Sequence, residues 1–215
     1  SLMGSAMNSP RVTIGVPVCN GESELEACLA CLSNQTFRDL AIIVYDNAST
    51  DRTPEIVAAA MRKDSRISYF RHATNIGALA NFSAVLAAAR SPYFMWRAFD
   101  DLSDLAYVER LVAALDAHPD AMLAAPRTET LRTQSGRCRV RLPPRPGTGP
   151  RERLAAERWI IRRLQAGWFY GLFRREFLVE TMDFIKREFR FVWAWDFLLL
   201  ATTVWVLVNR GVRAR

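Results

Sequence analysis

Two adjacent carboxylates, Asp100 and Asp101, close the apolar, strand-type run Tyr93-Phe94-Met95-Trp96-Arg97-Ala98-Phe99. A strand's end delivers side chains to a fixed place, and two carboxylates held together repel unless a cation or hydrogen-bond donors offset the charge. A divalent metal ion on oxygen ligands is the economical partner. The other use for Asp100, Asp101 and Asp104 is as first-turn acids of the helix expected over 104–117. The run by itself does not choose between these uses; the chain upstream does.

Arg11–Val18 is a β-branched run stopped by Pro17, with a loop at Cys19-Asn20-Gly21 and helical spacing over 22–32. Leu40–Tyr45 is a second continuous apolar strand, ending at Asp46-Asn47-Ala48-Ser49-Thr50-Asp51 before a helix over 53–62. Ile67–Phe70 is a short strand, Asn75-Ile76-Gly77 a turn, and 78–89 a helix of small residues that leads into the acidic strand. Ala121–Ala125 is a fifth strand. Alternating strands and helices predict an α/β fold, and continuous apolar strands predict a parallel sheet covered on both faces. In such sheets ligands bind beyond the carboxyl ends of the strands. Asn20, Asp46, residues 72–77 and Asp100-Asp101 all stand at those ends. Helix capping alone does not predict a polar loop at every one of them, so a single site is the simpler account.

Composition agrees with one compact domain. Half of the 215 residues are hydrophobic, and the surplus of seven positive charges lies mostly beyond residue 126. Residues 1–10 read as a tag or disordered lead, and the shift in composition after residue 126 divides the rest of the same domain into halves 11–126 and 127–215. The second half opens with an Arg/Pro-rich loop over 127–153, followed by a helix over 153–164, a strand-like aromatic stretch Trp168–Arg174 and a helix from Arg175. Four cysteines without a signal-peptide pattern predict free thiols and a cytoplasmic location, and Cys28 and Cys31, at i and i+3 of one helix, predict core packing rather than zinc binding. The apolar run Phe197–Val208 has 12 residues, against roughly 20 needed to span a bilayer. It predicts a buried helix, while Arg210, Arg213 and Arg215 behind it leave a peripheral contact with the inner face of a membrane open.

Val12–Glu22 (V-T-I-G-V-P-V-C-N-G-E), Ile42–Thr53 (I-I-V-Y-D-N-A-S-T-D-R-T), Asn75-Ile76-Gly77 and Asp100-Asp101, in this order and spacing, resemble the inverting, nucleotide-sugar-dependent family 2 glycosyltransferases. The resemblance implies the GT-A fold, with a Rossmann-like, mostly parallel central sheet flanked by helices and a small antiparallel acceptor-side part. It assigns donor contacts to Pro17, Cys19, Asn20, Glu22, Asp46, Asn75, Gly77 and Asp100. It assigns Mn2+ or Mg2+ to Asp101 with Asp100, and the general base to Asp196, whose neighbours Trp193, Trp195 and Phe197 would desolvate it or stack on an acceptor sugar. His72, close to the donor loop, is expected to be a solvated loop residue. A nucleoside-diphosphate sugar with UDP or dTDP favoured is the implied donor, and a saccharide or lipid-linked saccharide of cell-surface polysaccharide synthesis the implied acceptor.

Three departures stand beside the match. Ala98 occupies the first acidic position where many relatives read Asp-x-Asp-Asp, which puts one sugar or ribose contact in question. Ala155 stands where the Gln of a processive Q-x-x-R-W motif would be, before Arg158-Trp159, which favours single addition. The chain ends soon after Asp196 where relatives usually continue, which leaves a truncated acceptor side open. A dinucleotide enzyme is disfavoured because Pro17 and Asn20 replace any G-x-G-x-x-G after the first strand. A catalytically inactive nucleotide- or nucleic-acid-binding relative is the remaining alternative; no nucleic-acid motif accompanies the basic surplus, so nucleic acid is not expected as a partner.

Overall fold

The computed structural model describes residues 9–125, 166–188 and Leu199. In chain order the elements are β1 (Val12–Val18), α1 (Leu25–Ser33), β2 (Leu40–Asp46), α2 (Thr53–Lys63), β3 (Ile67–Arg71), α3 (Ala78–Ala88), β4 (Tyr93–Trp96), α4 (Tyr107–Ala117), β5 (Leu123–Ala124), a 3₁₀ turn (Ala166–Tyr170), β6 (Leu172–Arg174) and α5 (Arg175–Glu188). The sheet order is β3-β2-β1-β4-β6-β5. β1 to β4 are parallel, and β6 enters antiparallel between β4 and β5. The expected α/β architecture with a small antiparallel margin is therefore the one observed. The Arg/Pro-rich stretch, the helix expected over 153–164, and 191–208 with Asp196, Leu199 excepted, lie outside the described residues.

Even-numbered residues of β1 and β2 and the odd ones of β4 build one core layer. Val12, Ile14, Val16, Val18, Leu40, Ile42, Val44, Tyr93 and Met95 pack there with Leu25, Leu29 and Leu32 of α1 and Val108, Val112 and Leu115 of α4. The opposite face packs Val85 and Leu86 of α3, Phe94, Trp96, Phe169 and Phe173 against Leu178, Met182 and Ile185 of α5. Gly15 sits where α3 comes close against β1. A Cβ there would collide with Val85 and lie 2.9 Å from the Phe94 ring.

Pro17 does not end β1, which runs on to Val18. Val18 C=O accepts from Asn47 on the β2 side, while Gly15 C=O accepts from Arg97 on the β4 side. By alternation Pro17 faces the β4 side, where the paired residues stop at Gly15, so its missing N–H leaves no ladder bond unmade.

The aromatic stretch Trp168–Arg174 is not one strand. Trp168–Tyr170 belong to the 3₁₀ turn, with the Phe169 ring stacked on Trp96 at 4.7 Å. Gly171 then donates to the Trp168 carbonyl and passes so close to Ala124 C=O that a Cβ would come within 2.6 Å. Only Leu172–Arg174 pairs with the sheet. Stacking on Trp96 favours the tight turn over the extended form that the aromatic composition suggests.

Asp64 ends α2 and clamps Arg66, whose Nη2 reaches the Ser33 carbonyl at the end of α1 (2.8 Å). The Arg66 bonds hold the Asp64 carboxyl at about 2, below its ordinary 3.8. Because the folded value lies below the unfolded one, this stabilisation is present above about pH 4 and is lost as pH falls toward 2. Asp64→Asn is expected to lower Tm at neutral pH and to flatten its decline between pH 4 and 2 in a pH series of melts. A parallel decline in variant and parent would remove the assignment.

Candidate active site

The loops after β1 and β2 are joined by backbone-to-side-chain bonds that the polar composition of each loop makes available. Asn20 N–H donates to Ser49 Oγ (2.8 Å), Thr50 N–H to Asn20 Oδ1 (2.8 Å), and Gly21 N–H to Thr53 Oγ1 (2.9 Å). Glu22 N–H donates to Asp51 Oδ2 (2.9 Å), and Arg52 N–H returns to Glu22 Oε2 (3.1 Å). Asn20 and Ala48 adopt positive φ, 56° and 60°. For Asn this is tolerated; for Ala it costs on the order of 1 kcal/mol, which the surrounding bonds must offset.

Asp46, at the end of β2, is fully buried. Its Oδ1 accepts from Ser49 N–H (2.8 Å), its Oδ2 from the Tyr69 hydroxyl (2.6 Å), and Arg71 Nε stands 3.4 Å from Oδ2. Burial first, and the Asp46 hydrogen bond next, push the Tyr69 phenol above its usual range. The Asx turn to Ser49 is thus present, and both carboxylate oxygens face protein groups. Asn47, which the motif reading passed over, ties three loops together. Its N–H donates to Val18 C=O, its Nδ2 to Asn75 Oδ1 (2.9 Å), and its Oδ1 accepts from Ile76 N–H (2.8 Å). An Asn beside an Asp in a turn-forming loop was the available signal.

Asn75 also accepts from Gly77 N–H (2.9 Å), and Gly77 has φ 86° with open space where a Cβ would stand. Cys19 Sγ sits 3.7 Å from both Asn47 O and Asn75 Nδ2. Contrary to expectation, His72 is half-buried rather than solvated. Its Nε2 lies 3.1 Å from Asn81 Oδ1, and its ring meets Tyr45 and Phe70 edge-on, because the Asn81 amide, anchored to Tyr45 C=O, offers it a partner on α3. Cys19, Asn20, Glu22, Asn75 and Gly77, with Pro17 and Asp46 at the ends of β1 and β2, therefore stand on three loops bonded into one rim.

The acid pair stands in a turn pinned to α1. Asp101 N–H bonds back to Ala98 C=O (3.2 Å). Cys28 Sγ donates to the same carbonyl (3.5 Å), and Cys31 Sγ meets Ser103 C=O and N–H, each at 3.3 Å. Gln35 completes the series, donating to Asp104 C=O (2.9 Å) and accepting from Val108 N–H (3.1 Å). The Cys-x-x-Cys pair does pack as free thiols, and it also latches the acid loop. Burial pushes the Cys28 thiol up to about 12, so it stays a protonated donor at neutral pH.

Helix α4 begins at Tyr107, and the acid serving its approach is Asp104, whose Oδ1 accepts from Ala106 N–H (2.9 Å). Asp100 and Asp101 cap nothing; both are exposed, and their carboxylates make no hydrogen bond or ion pair among the described residues. Partial desolvation raises the Asp101 carboxyl, Arg97 opposes this, and the Asp100 charge adds to the rise. The loop adjoins the rim through Phe99, whose ring would lie 3.1 Å from a Cβ on Gly21.

No group of three or more His, Cys, Asp or Glu suited to a metal ion occurs among the described residues. Two free adjacent carboxylates fit a hard cation of the kind that takes one or two carboxylates and completes its shell with phosphate oxygens and water. A groove of about 720 Å³ between α1 and α2, lined by Leu29, Arg52, Ile56 and Lys63 among others, includes none of the rim or acid-pair residues named above as donor or metal ligands. The acid pair and the rim residues stand together at the carboxyl ends of the strands, away from this groove. No helix among the described residues is long and apolar enough to cross a membrane.

Known proteins resemble this chain in sequence and in structure. The chain is 35% identical over 96 residues to an uncharacterized glycosyltransferase of Haemophilus influenzae, covering 44% of this chain and 38% of that protein. It is 39% identical over 61 residues to the GalNAc(5)-diNAcBac-PP-undecaprenol beta-1,3-glucosyltransferase of Campylobacter jejuni, 28% of this chain and 20% of that one. The matched stretch thus spans well under half of these relatives' length.

Among solved structures, S. aureus TarS 1-349 superposes with a TM-score of 0.65 at 19% identity, covering 90% of this chain and 55% of that one. The mannosyltransferase PcManGT of Pyrobaculum calidifontis, in complex with GDP-Man and Mn2+, gives 0.57 at 20% identity, covering 81% and 47%. The fold is that of the GT-A glycosyltransferases. The glycosyl transferase family 2 profile matches residues 13–179, most of the chain, and this protein therefore belongs to glycosyl transferase family 2.

Proposed function

We propose that this chain transfers one sugar from a nucleoside-diphosphate sugar to an acceptor hydroxyl with inversion, assisted by Mn2+ or Mg2+ at Asp100 and Asp101. The observation that carries the reading is the unpaired acid pair beside a rim of three loops at one edge of a parallel sheet. The exposed groups of Asn20, Glu22, Asn75 and Gly77 face the donor. Asp46 serves the base from beneath, by holding the β2 loop through Ser49, with Pro17 and Cys19 shaping the loop after β1. The favoured bases are uracil and thymine; TarS has been solved with UDP-GlcNAc, whereas PcManGT carries GDP-Man, so the base is a point for experiment.

In the reaction the acceptor oxygen forms a bond to the anomeric carbon from the face opposite the diphosphate. The bond from that carbon to the diphosphate oxygen breaks, and its electron pair leaves with the nucleoside diphosphate. A cation bound here supplies Lewis-acid stabilisation of the negative charge on that leaving group. Asp196 takes the acceptor proton. Positioned general bases contribute typically 10²- to 10⁴-fold, so Asp196→Asn is expected to cut kcat by that order while donor affinity stays at the parent value. Unchanged turnover would remove Asp196 from the mechanism.

The acceptor is a saccharide or lipid-linked saccharide of cell-surface polysaccharide synthesis, met at the cytoplasmic face of the membrane. The lipid-linked naming of the C. jejuni relative and the arginines after residue 208 support this.

The test of the donor site is a thermal-shift panel of UDP, dTDP, GDP and CMP, each with and without Mn2+. A ligand at 100 times its Kd adds about 2.7 kcal/mol, or roughly 5 to 10 °C for a domain of this size. A manganese-dependent shift with one nucleoside diphosphate is the expected result. Absence of any shift would overturn the donor assignment in favour of an inactive relative.

A further inference from the structure

Arg97 is the one buried cation among the described residues whose head group lacks a hydrogen-bond acceptor at two of its nitrogens. Its residue is 3% exposed, yet Nε and Nη2 are buried without a partner. Its backbone N–H continues the β1–β4 ladder by donating to Gly15 C=O (2.9 Å). The side chain leaves β4 on the face of Tyr93 and Met95, and the guanidinium lies 4.8 Å over the Tyr107 ring. Stacking on one ring offsets only part of the cost of a buried guanidinium with unmatched donors. Buried polar groups are nearly always paired, so such an exception marks a place where the protein keeps a group for use.

The surroundings identify the use. Arg97 immediately precedes the turn in which Asp101 N–H bonds back to Ala98 C=O, which folds Asp101 over the end of the strand. Cys28 pins Ala98 and Cys31 pins Ser103, so the turn that follows Arg97 is held at both ends. The Arg97 charge is felt by Asp101, Tyr107 and Cys28, and Asp101 is the anion among them, although the two form no ion pair in the described state.

We propose that Arg97 is a positioning residue for the cation site: it donates Nε–H or Nη2–H to the Asp101 carboxylate oxygen that the cation does not use. A metal-bound carboxylate is commonly oriented by a hydrogen bond to its other oxygen, and losing such a partner weakens metal binding by typically 10- to 100-fold. The unmatched donors are then the mark of a site whose last bonds form on loading. The inference rests on the cation reading above, and it assigns Arg97 no contact with the sugar.

The test is Mn2+ binding to the whole chain, followed by the electron paramagnetic resonance signal of free Mn2+, alone and with UDP or GDP. Arg97→Met removes the donors while filling the space. Because a buried charge is removed, its Tm is expected to equal or exceed that of the parent. Its Mn2+ Kd in the presence of nucleotide is expected to rise 10- to 100-fold, with metal-free nucleotide binding unchanged. Arg97→Lys keeps the charge without the fork and is expected to lie between the two; it also serves as the readout should Arg97→Met fail to fold. Parent-like Mn2+ affinity in a folded Arg97→Met, or in Arg97→Lys if Met does not fold, would overturn the proposal and leave the cation site standing. A parent protein that binds no Mn2+ under any of these conditions would overturn both.

Discussion

Asp101→Asn is expected to leave the protein folded and to abolish metal-dependent turnover, lowering kcat by at least about 10³-fold. The side chain is exposed and carries no protein hydrogen bond, so the amide replaces it with little structural consequence, within about 0.5 kcal/mol. It also relieves the repulsion with Asp100. What is lost is the anionic oxygen for the cation. Stabilisation of leaving-group charge by a bound metal amounts to several kcal/mol, and each 1.36 kcal/mol is tenfold in rate. The measurement is kcat at saturating Mn2+ together with a melt of the same preparation. Turnover within tenfold of the parent would show that Asp100 or another group holds the metal. A large fall in Tm would instead assign Asp101 to the architecture of the loop.

Asp46→Ala is expected to cost stability more than any other single change in the rim, about 3–5 kcal/mol. Truncation removes the acceptor for Ser49 N–H, for the Tyr69 hydroxyl and for the Arg71 guanidinium in one step. Breaking a buried charged network by deleting one partner leaves the others unmatched, and that mechanism produces the largest point-mutant effects. Arg71 is itself about half exposed, so its share is discounted for solvent screening. Most of the loss falls on Ser49 and Tyr69. Equilibrium urea unfolding with an unchanged m-value would read the difference as stability rather than denatured-state compaction. Asp46→Asn, which keeps one carbonyl acceptor, should fall between the two. A cost below 1 kcal/mol for Asp46→Ala would mean that the carboxylate is held for a ligand and not for the loop.

The elements themselves were legible because their signals are local. Continuous β-branched runs marked β1 and β2, and the polar interruptions after them marked the loops. The parallel order followed from strand–helix alternation. Where the reading failed, a long-range contact decided. The aromatic run Trp168–Arg174 looks extended, but Phe169 gains more by stacking on Trp96, which is far away in sequence. Pro17 looks like a terminator, but its direction in the sheet places it where β4 has already ended. The solvated role expected of His72 gave way to a partner on α3.

For the site, the sequence by itself determined which residue types stand at the strand ends, and hence the family and the candidate acids. It did so because a β-strand presents its terminal loop to one edge of a parallel sheet whatever the rest of the chain does. Only the tertiary structure decided how those residues divide their work. Asp46 is turned inward and spent on Ser49 and Tyr69, while Asn47 joins the loops, and Cys28 and Cys31 reach across to the acid turn. Arg97 emerged only there as well, since a lone arginine after an apolar run carries no signal of its own. Its burial and its unmatched donors exist only once α1, α4 and the turn have closed around it, because desolvation belongs to the packed environment and not to the residue.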